Sequence, residues 1–115
     1  MTADLRESLL AAQAEARRRV AEFDAVLRDL TEARGDADSD DEHDPEGSTV
    51  AWDRAVNAAT AVAARDHLAD VEAALARVEA GWDGRCATCL RPIPAERLAA
   101  RPQTDRCVSC ADRPT

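Results

Sequence analysis

Between residues 4 and 34 the apolar positions recur at intervals of four and three: Leu5, Leu9, Ala12, Ala16, Phe23, Val26 and Leu30. That spacing lines one face of a long helix with a heptad seam, and Arg19, with Val20 beside it, is its one polar interruption. The stretch holds no Gly or Pro and is rich in Ala, Leu, Arg and Glu, all good helix formers. Asp4 followed by Glu7 resembles a capping box, and Thr2 is a second capping candidate. Gly35 predicts the stop. A turn over Asp44-Pro45-Glu46-Gly47-Ser48 precedes a second helix from about Ser48 to Ala80. Its seam reads Trp52, Ala55, Ala59 and Val62, then drifts to Leu68, Val71, Leu75, Val78 and Trp82, with Asp66 near the crossover.

Two helices of similar length joined by one loop predict an antiparallel hairpin, a two-stranded coiled coil. An arm of about 30 residues would extend roughly 45 Å. The competing arrangement folds both helices back into a globular bundle. A hairpin satisfies its own seam, so a monomer is expected.

Chemistry concentrates after the helices. Cys86-x2-Cys89 and Cys107-x2-Cys110 are separated by seventeen residues and hold all four cysteines of the chain. Each CxxC turn brings two sulfurs together, and the loop lets the second pair fold onto the first, a spacing that points to zinc. Four thiolates leave no coordination position for water, so the expected cofactor is one structural Zn2+ and not a catalytic one. Arg91-Pro92-Ile93-Pro94 reads as a turn, Pro94 to Ala100 as a short helix, and Pro102 as its end. The fold class is therefore mostly α: a helical hairpin over 1–80 with an acidic tip at 36–48, then a small four-cysteine zinc finger over 81–115.

Composition sharpens this picture. The chain has 115 residues, and 45% are hydrophobic, but much of that is alanine and the aromatics are Phe23, Trp52 and Trp82 alone. Such an inventory makes a conventional core hard to build, so a metal staple and helix-on-helix contact carry the fold. No apolar run is long enough to cross a bilayer, and no basic-then-apolar leader opens the chain, which gives the expectation of a cytoplasmic protein without a membrane partner. In that reducing compartment paired cysteines read as metal ligands, not disulfides.

Net charge is −8, with fifteen arginines and no lysine. Asp36, Asp38, Asp40, Asp41, Glu42, Asp44 and Glu46 account for seven of the negative charges, leaving −1 for the remainder. An acidic protein is a poor candidate for wrapping nucleic acid, and no direct sequence-specific DNA binding is expected. Asp36, Asp38 and Asp40 open like a calcium loop, but Asp41 stands where glycine is needed and Gly47 where glutamate is needed. By composition the tip is a solvated, self-repelling loop; its place at the turn between two long helices makes it a candidate partner-binding element instead. His43 and His67 are isolated and read as surface histidines. No phosphate loop and no nucleophile with a base are present, so no enzyme activity is expected.

From Cys86 to Cys110 the residues Cys-x2-Cys, Arg-Pro-Ile-Pro-x-Glu-Arg-Leu-x-Ala-Arg-Pro and Cys-Val-x-Cys resemble the DksA/TraR family of bacterial transcription factors, in its short form. The resemblance extends over about residues 36–111. Ile93, Arg97, Leu98, Ala100 and Pro102 match recurrent positions, and Asp44-Pro45 matches the start of the family's tip motif. The resemblance implies direct binding to RNA polymerase. The coiled coil would enter the secondary channel and the tip carboxylates Asp38, Asp40, Asp41, Glu42, Asp44 and Glu46 would approach the active site. The zinc domain would lie against the rim through Arg91, Arg97 and Arg101. An acidic arm suits a positively lined channel.

Three departures stand out. Gly47 and Thr49 replace the tip motif's second aspartate and its alanine. Leu90 replaces the glycine that usually follows the first knuckle, at a cost of roughly 1–2 kcal/mol if the position needs positive φ. Five residues follow Cys110, so the long members' C-terminal helix is expected to be missing, and their response to guanosine tetraphosphate is not carried over. The other reading is a zinc-stapled coiled-coil adaptor or a DNA-binding zinc protein with a different partner, using Arg85, Arg91, Arg97, Arg101 and Arg106.

Overall fold

The computed structural model describes residues 2–37 and 45–111, with side chains over 3–30 and 49–111. Four helices follow in order: α1 (Thr2–Ala37), α2 (Pro45–Glu79), α3 (Ala95–Ala100) and α4 (Val108–Ala111). Among the described residues there is no strand, only an isolated antiparallel bridge between Arg85 and Pro92. The fold is the mostly helical hairpin with a four-cysteine end that the pattern predicts.

Both long helices outrun the expected bounds. α1 starts at Thr2 and runs through Gly35 to Ala37. Glycine inside a helix costs only about 1 kcal/mol, less than the surrounding Ala, Arg and Glu residues recover. Asp4 lies in the first turn, where a carboxylate suits the positive helix end. α2 begins at Pro45, so Pro45, Glu46, Gly47 and Ser48, read as part of a turn, are already helical. Proline at a first helical position loses no hydrogen bond and has its φ preset. α2 ends at Glu79, and Gly81 just beyond it takes φ +100. There Trp82 N–H donates to Arg77 O (2.9 Å) and Gly81 N–H to Val78 O (3.1 Å), the paired bonds of a Schellman cap.

The chain divides into two compact units: Met1–Glu15 with His67–Thr115, and Ala16–Asp66. In the first, Leu5 and Leu9 of α1 meet Val71, Ala74, Leu75 and Val78 of α2, and Ile93, Leu98, Cys86 and Cys110 complete the cluster. Leu9 and Val71 are wholly buried. Each such side chain contributes about 1.5–3 kcal/mol by leaving water. Low residue numbers on α1 meet high ones on α2, so the helices are antiparallel here.

In the second unit the buried hydrophobic residues, among those described, are Ala16 and Ala61. Arg65 pairs with Asp24 across the helices, and Arg18 with Glu22 along α1. All four side chains are substantially exposed. Such pairs contribute about 0–1 kcal/mol each.

The seams differ from the expected ones in this second unit. On α1, Val20 and Leu27 turn inward, while Arg19 and Val26 are exposed. On α2 the line through Leu68, Val71, Leu75 and Val78 continues back through Ala64, Ala61, Asn57 and Arg54 without drift. Trp52, Ala55, Ala59 and Val62, expected in the seam, are exposed, Trp52 to 66%. The heptad register is fixed by the large residues at the other end of α2, and position 52 falls on the opposite side of the helix.

A four-cysteine metal centre

The first knuckle is held by a short loop turned back on itself. Cys86 N–H donates to Arg91 O (2.8 Å), Leu90 N–H to Cys86 O (2.9 Å) and Ile93 N–H to Gly84 O (2.9 Å). This closure needs a left-handed residue just after Cys89. Leu90 takes that conformation, with φ +64, as its place in the resemblance anticipated. A non-glycine residue in that region costs roughly 1–2 kcal/mol, so the turn is strained. Gly84, buried at φ +82, supplies the other left-handed position without that cost.

Two buttresses fix the second knuckle. Ala87 N–H donates to Asp105 O (2.8 Å), joining the two halves of the site. Arg97, reaching from α3, donates through Nε to Arg106 O (2.8 Å) and meets Thr104 Oγ1 at 3.4 Å. The Thr104 hydroxyl donates to Arg106 O (3.0 Å) and accepts from Arg106 N–H (3.2 Å). Arg77 donates to Gln103 O (3.1 Å), and its guanidinium carbon lies 5.7 Å from the centre of the Trp82 ring. Trp82 Nε1–H donates to Arg85 O (3.1 Å). The sequence motifs showed none of these supports, because the carbonyls that Arg77 and Arg97 bond carry no side-chain signature.

The result is four sulfurs in one place. The Sγ atoms of Cys86, Cys89, Cys107 and Cys110 all lie within 4.8 Å of one another. A tetrahedral zinc with sulfurs at about 2.3 Å sets those sulfurs about 3.8 Å apart. Cys89 Sγ and Cys107 Sγ are 3.8 Å apart, so the set fits a single zinc ion. Cys86 and Cys110 face the apolar cluster, Cys107 is half-buried and Cys89 is exposed.

Before a metal displaces them, protons are shared unevenly. The Cys86 thiol drops from 9.0 to about 6, chiefly because its sulfur accepts the Cys89 backbone N–H, with the Cys107 and Thr88 N–H groups adding against the effect of burial. Cys107 is lowered, first by the Cys110 backbone N–H. Cys110 is pushed up to about 12 by the hydrogen bond shared with Cys107 and then by burial. Backbone amides aimed at the sulfurs are the preorganisation that a thiolate-bound dication needs. With all four positions taken by sulfur, the ion supplies folding energy and not chemistry.

Of the other candidate residues, Arg91 and Arg101 are exposed and Arg97 is half-buried with its guanidinium engaged as above. His67 is exposed. The tip residues Asp38, Asp40, Asp41, Glu42 and Asp44, and His43, lie outside the described residues. Glu46 falls in the first turn of α2, its side chain likewise outside them. Among the described residues no helix is long and apolar enough to cross a membrane.

Known proteins give the site a family. Residues 75–115 match the family described as prokaryotic dksA/traR C4-type zinc finger. No curated protein matches the chain. Among solved structures, transcription factor DksA2 from Pseudomonas aeruginosa superposes with a TM-score of 0.79 at 22% identity, covering 97% of this chain and 81% of that one. At that identity the likeness speaks for the fold, both long helices included. The motif, the sulfur geometry and the matched segment agree: the finger of this chain belongs to the DksA/TraR C4-type zinc-finger family, built around one structural zinc.

Proposed function

We propose that this chain is a transcription regulator that binds RNA polymerase directly. Cys86, Cys89, Cys107 and Cys110 hold the zinc. The hairpin enters the polymerase secondary channel and brings Asp38, Asp40, Asp41, Glu42, Asp44 and Glu46 toward the active site, modulating initiation. The observation that carries this reading is the combination of a C4 finger of this family with a fold shared along 97% of the chain with a bacterial transcription factor. A finger alone is compatible with many partners; a finger that follows helices of 36 and 35 residues with an acidic stretch of sequence between them is far more restrictive.

Charge supports the same reading. Seven carboxylates between residues 36 and 46 suit a basic, metal-containing cleft, and attraction to such a cleft weakens as salt rises. At the finger, exposed Arg91 and Arg101 are the rim contacts, and Arg97 holds the 104–106 loop in place behind them. The tip acts on the polymerase electrostatically and does no chemistry of its own. The protein works as a cytoplasmic monomer on polymerase without reading DNA sequence.

The test is binding of zinc-loaded protein to cognate core polymerase, with a second secondary-channel factor as competitor. Competable binding is expected, together with altered transcription that is lost when Asp40, Asp41 and Asp44 are changed to Asn. Absence of binding with an intact zinc site would overturn the proposal and leave the adaptor reading.

A further inference from the structure

One side chain of the hairpin is tied to the chain just ahead of each cysteine pair. Arg77, in the last turn of α2, donates through Nη2 to Gln103 O (3.1 Å), in the loop that leads into Cys107. Its guanidinium carbon lies 5.7 Å from the centre of the Trp82 ring, and its backbone carbonyl accepts the Trp82 N–H (2.9 Å). Trp82 in turn donates through Nε1 to Arg85 O (3.1 Å), and Arg85 is the residue before Cys86. On the other side, Thr104 follows Gln103 and holds Arg106, the residue before Cys107, through its hydroxyl. Arg97 grips that loop from within the finger, and Arg77 grips it from the hairpin.

Packing alone does not account for an arginine here. Arg77 is half-buried, and its Nε is buried with no hydrogen-bond partner. A buried donor left unsatisfied destabilises a fold, and an apolar side chain at this position would avoid that cost. What an arginine supplies is a planar fork that lies over an aromatic ring and donates at its end in the same pose. The metal ligands differ in how far they need such help. Cys86 and Cys110 are fixed by burial in the apolar cluster. Cys107 is half-buried, and its place depends on the loop that Arg77 and Arg97 hold.

We infer that Arg77 is a positioning residue for the metal centre. It fixes the separation of the two cysteine pairs from the end of α2, so that zinc binding and the order of that helix end are coupled. Such coupling is reciprocal: zinc holds the last turns of α2 tight through Arg77, and those turns raise the affinity for zinc. Groups outside the ligand set that orient the ligands change metal affinity by about 10–100-fold when removed. The inference concerns the finger and the helix end beside it, and does not depend on the polymerase reading.

Competition with a chelator on the full chain gives the zinc affinity. Co2+ in place of zinc gives a visible spectrum that reports the sulfur geometry. Arg77→Met keeps an unbranched stem and removes the fork; it should weaken zinc binding by about tenfold and shift the Co2+ bands. Arg77→Lys, which keeps the charge without the planar fork, should fall between Arg77→Met and the native chain. Leu75→Ala opens a cavity in the same cluster and leaves every strut in place, so it should lower thermal stability with the Co2+ bands unmoved. Trp82→Phe removes the bond to Arg85. Combined with Arg77→Met it should lose less than the product of the two separate losses, because both act through one path. Amide exchange over residues 73–79 should slow on zinc addition in the native chain and not in Arg77→Met. Native zinc affinity and native Co2+ bands in Arg77→Met would overturn the inference. So would an equal band shift in Leu75→Ala, or zinc protection of the helix end that survives the loss of Arg77.

Discussion

The two compact units of this chain are built from the same two helices by different means. In the unit that contains the finger, Leu5, Leu9, Val71, Leu75 and Val78 meet Ile93, Leu98 and two of the cysteines in one cluster. In the unit over Ala16–Asp66, Ala16 and Ala61 are the buried hydrophobics among the described residues, and the cross-helix pair described is the partly exposed Arg65–Asp24. Arg54 occupies a seam position there, with its Nε buried and unpartnered. The first unit is held by apolar burial and a metal, the second mainly by helix propensity and alanine contact. Small residues and surface charge hold two helices together with little energy to spare, which leaves that unit's surface free to be shaped by a partner.

Removing the metal should break this contrast most severely. Structural zinc supplies about 10–16 kcal/mol of apparent binding energy in small fingers near neutral pH. Chelation, or Cys110→Ser, is expected to abolish the cooperative melting of the finger unit, followed by near-ultraviolet dichroism of Trp82 and by amide exchange. Acid acts the same way, since protons compete with zinc for the thiolates. Cys86, depressed to about 6, keeps its thiolate down to that pH, so the zinc affinity should fall most steeply below pH 6. For Cys86 the sign is the same: the contribution that a thiol lowered from 9.0 to about 6 makes to the ordered finger is present above 9.0 and is lost as pH falls through about 6. Direct zinc titration at pH 5, 6, 7 and 8 reads the effect.

Truncation of single side chains comes next. Leu9→Ala should cost about 2–5 kcal/mol, because it opens a cavity in a fully buried cluster. Val62→Ala, at a position 54% exposed, should stay within about 0.5 kcal/mol. Equal costs in urea unfolding would abolish the distinction between the units. A third change sharpens it. Arg54→Leu relieves a buried nitrogen without a partner and fills the seam, and is expected to stabilise the second unit by about 1 kcal/mol. Leu90→Gly should stabilise the finger by about 1 kcal/mol through release of the left-handed strain, visible as a higher melting temperature of the zinc-loaded protein.

What could be read from the sequence follows the same division. The seam was legible where large aliphatics mark it: Leu5 and Leu9 on α1, and Leu68 through Val78 on α2. It was misread where alanine dominates, because an alanine looks alike on either side of a helix and Trp52 drew the seam to the outer side. The register comes from the large residues far along α2, a long-range constraint that no local window contains. Gly35 and Pro45 misled in the same way, as each is tolerated in a helix that tertiary contact or a first-turn position supports. The metal centre was legible in full, since CxxC spacing encodes its own geometry. Its supports through Arg77, Arg97 and Thr104 were not, because they end on backbone carbonyls. Leu90 was legible as a departure only against the family's glycine.

The central claim is that the acidic turn reaches the polymerase interior. A photo-crosslinking residue placed at position 42 of the zinc-loaded protein, with a second at exposed position 91, tests it most directly on cognate polymerase. Position 42 should cross-link to the walls of the secondary channel near the active site, position 91 to its outer rim, and a competing channel factor should abolish both. Cross-links from position 91 alone, or from position 42 to a surface outside the channel, would contradict the account.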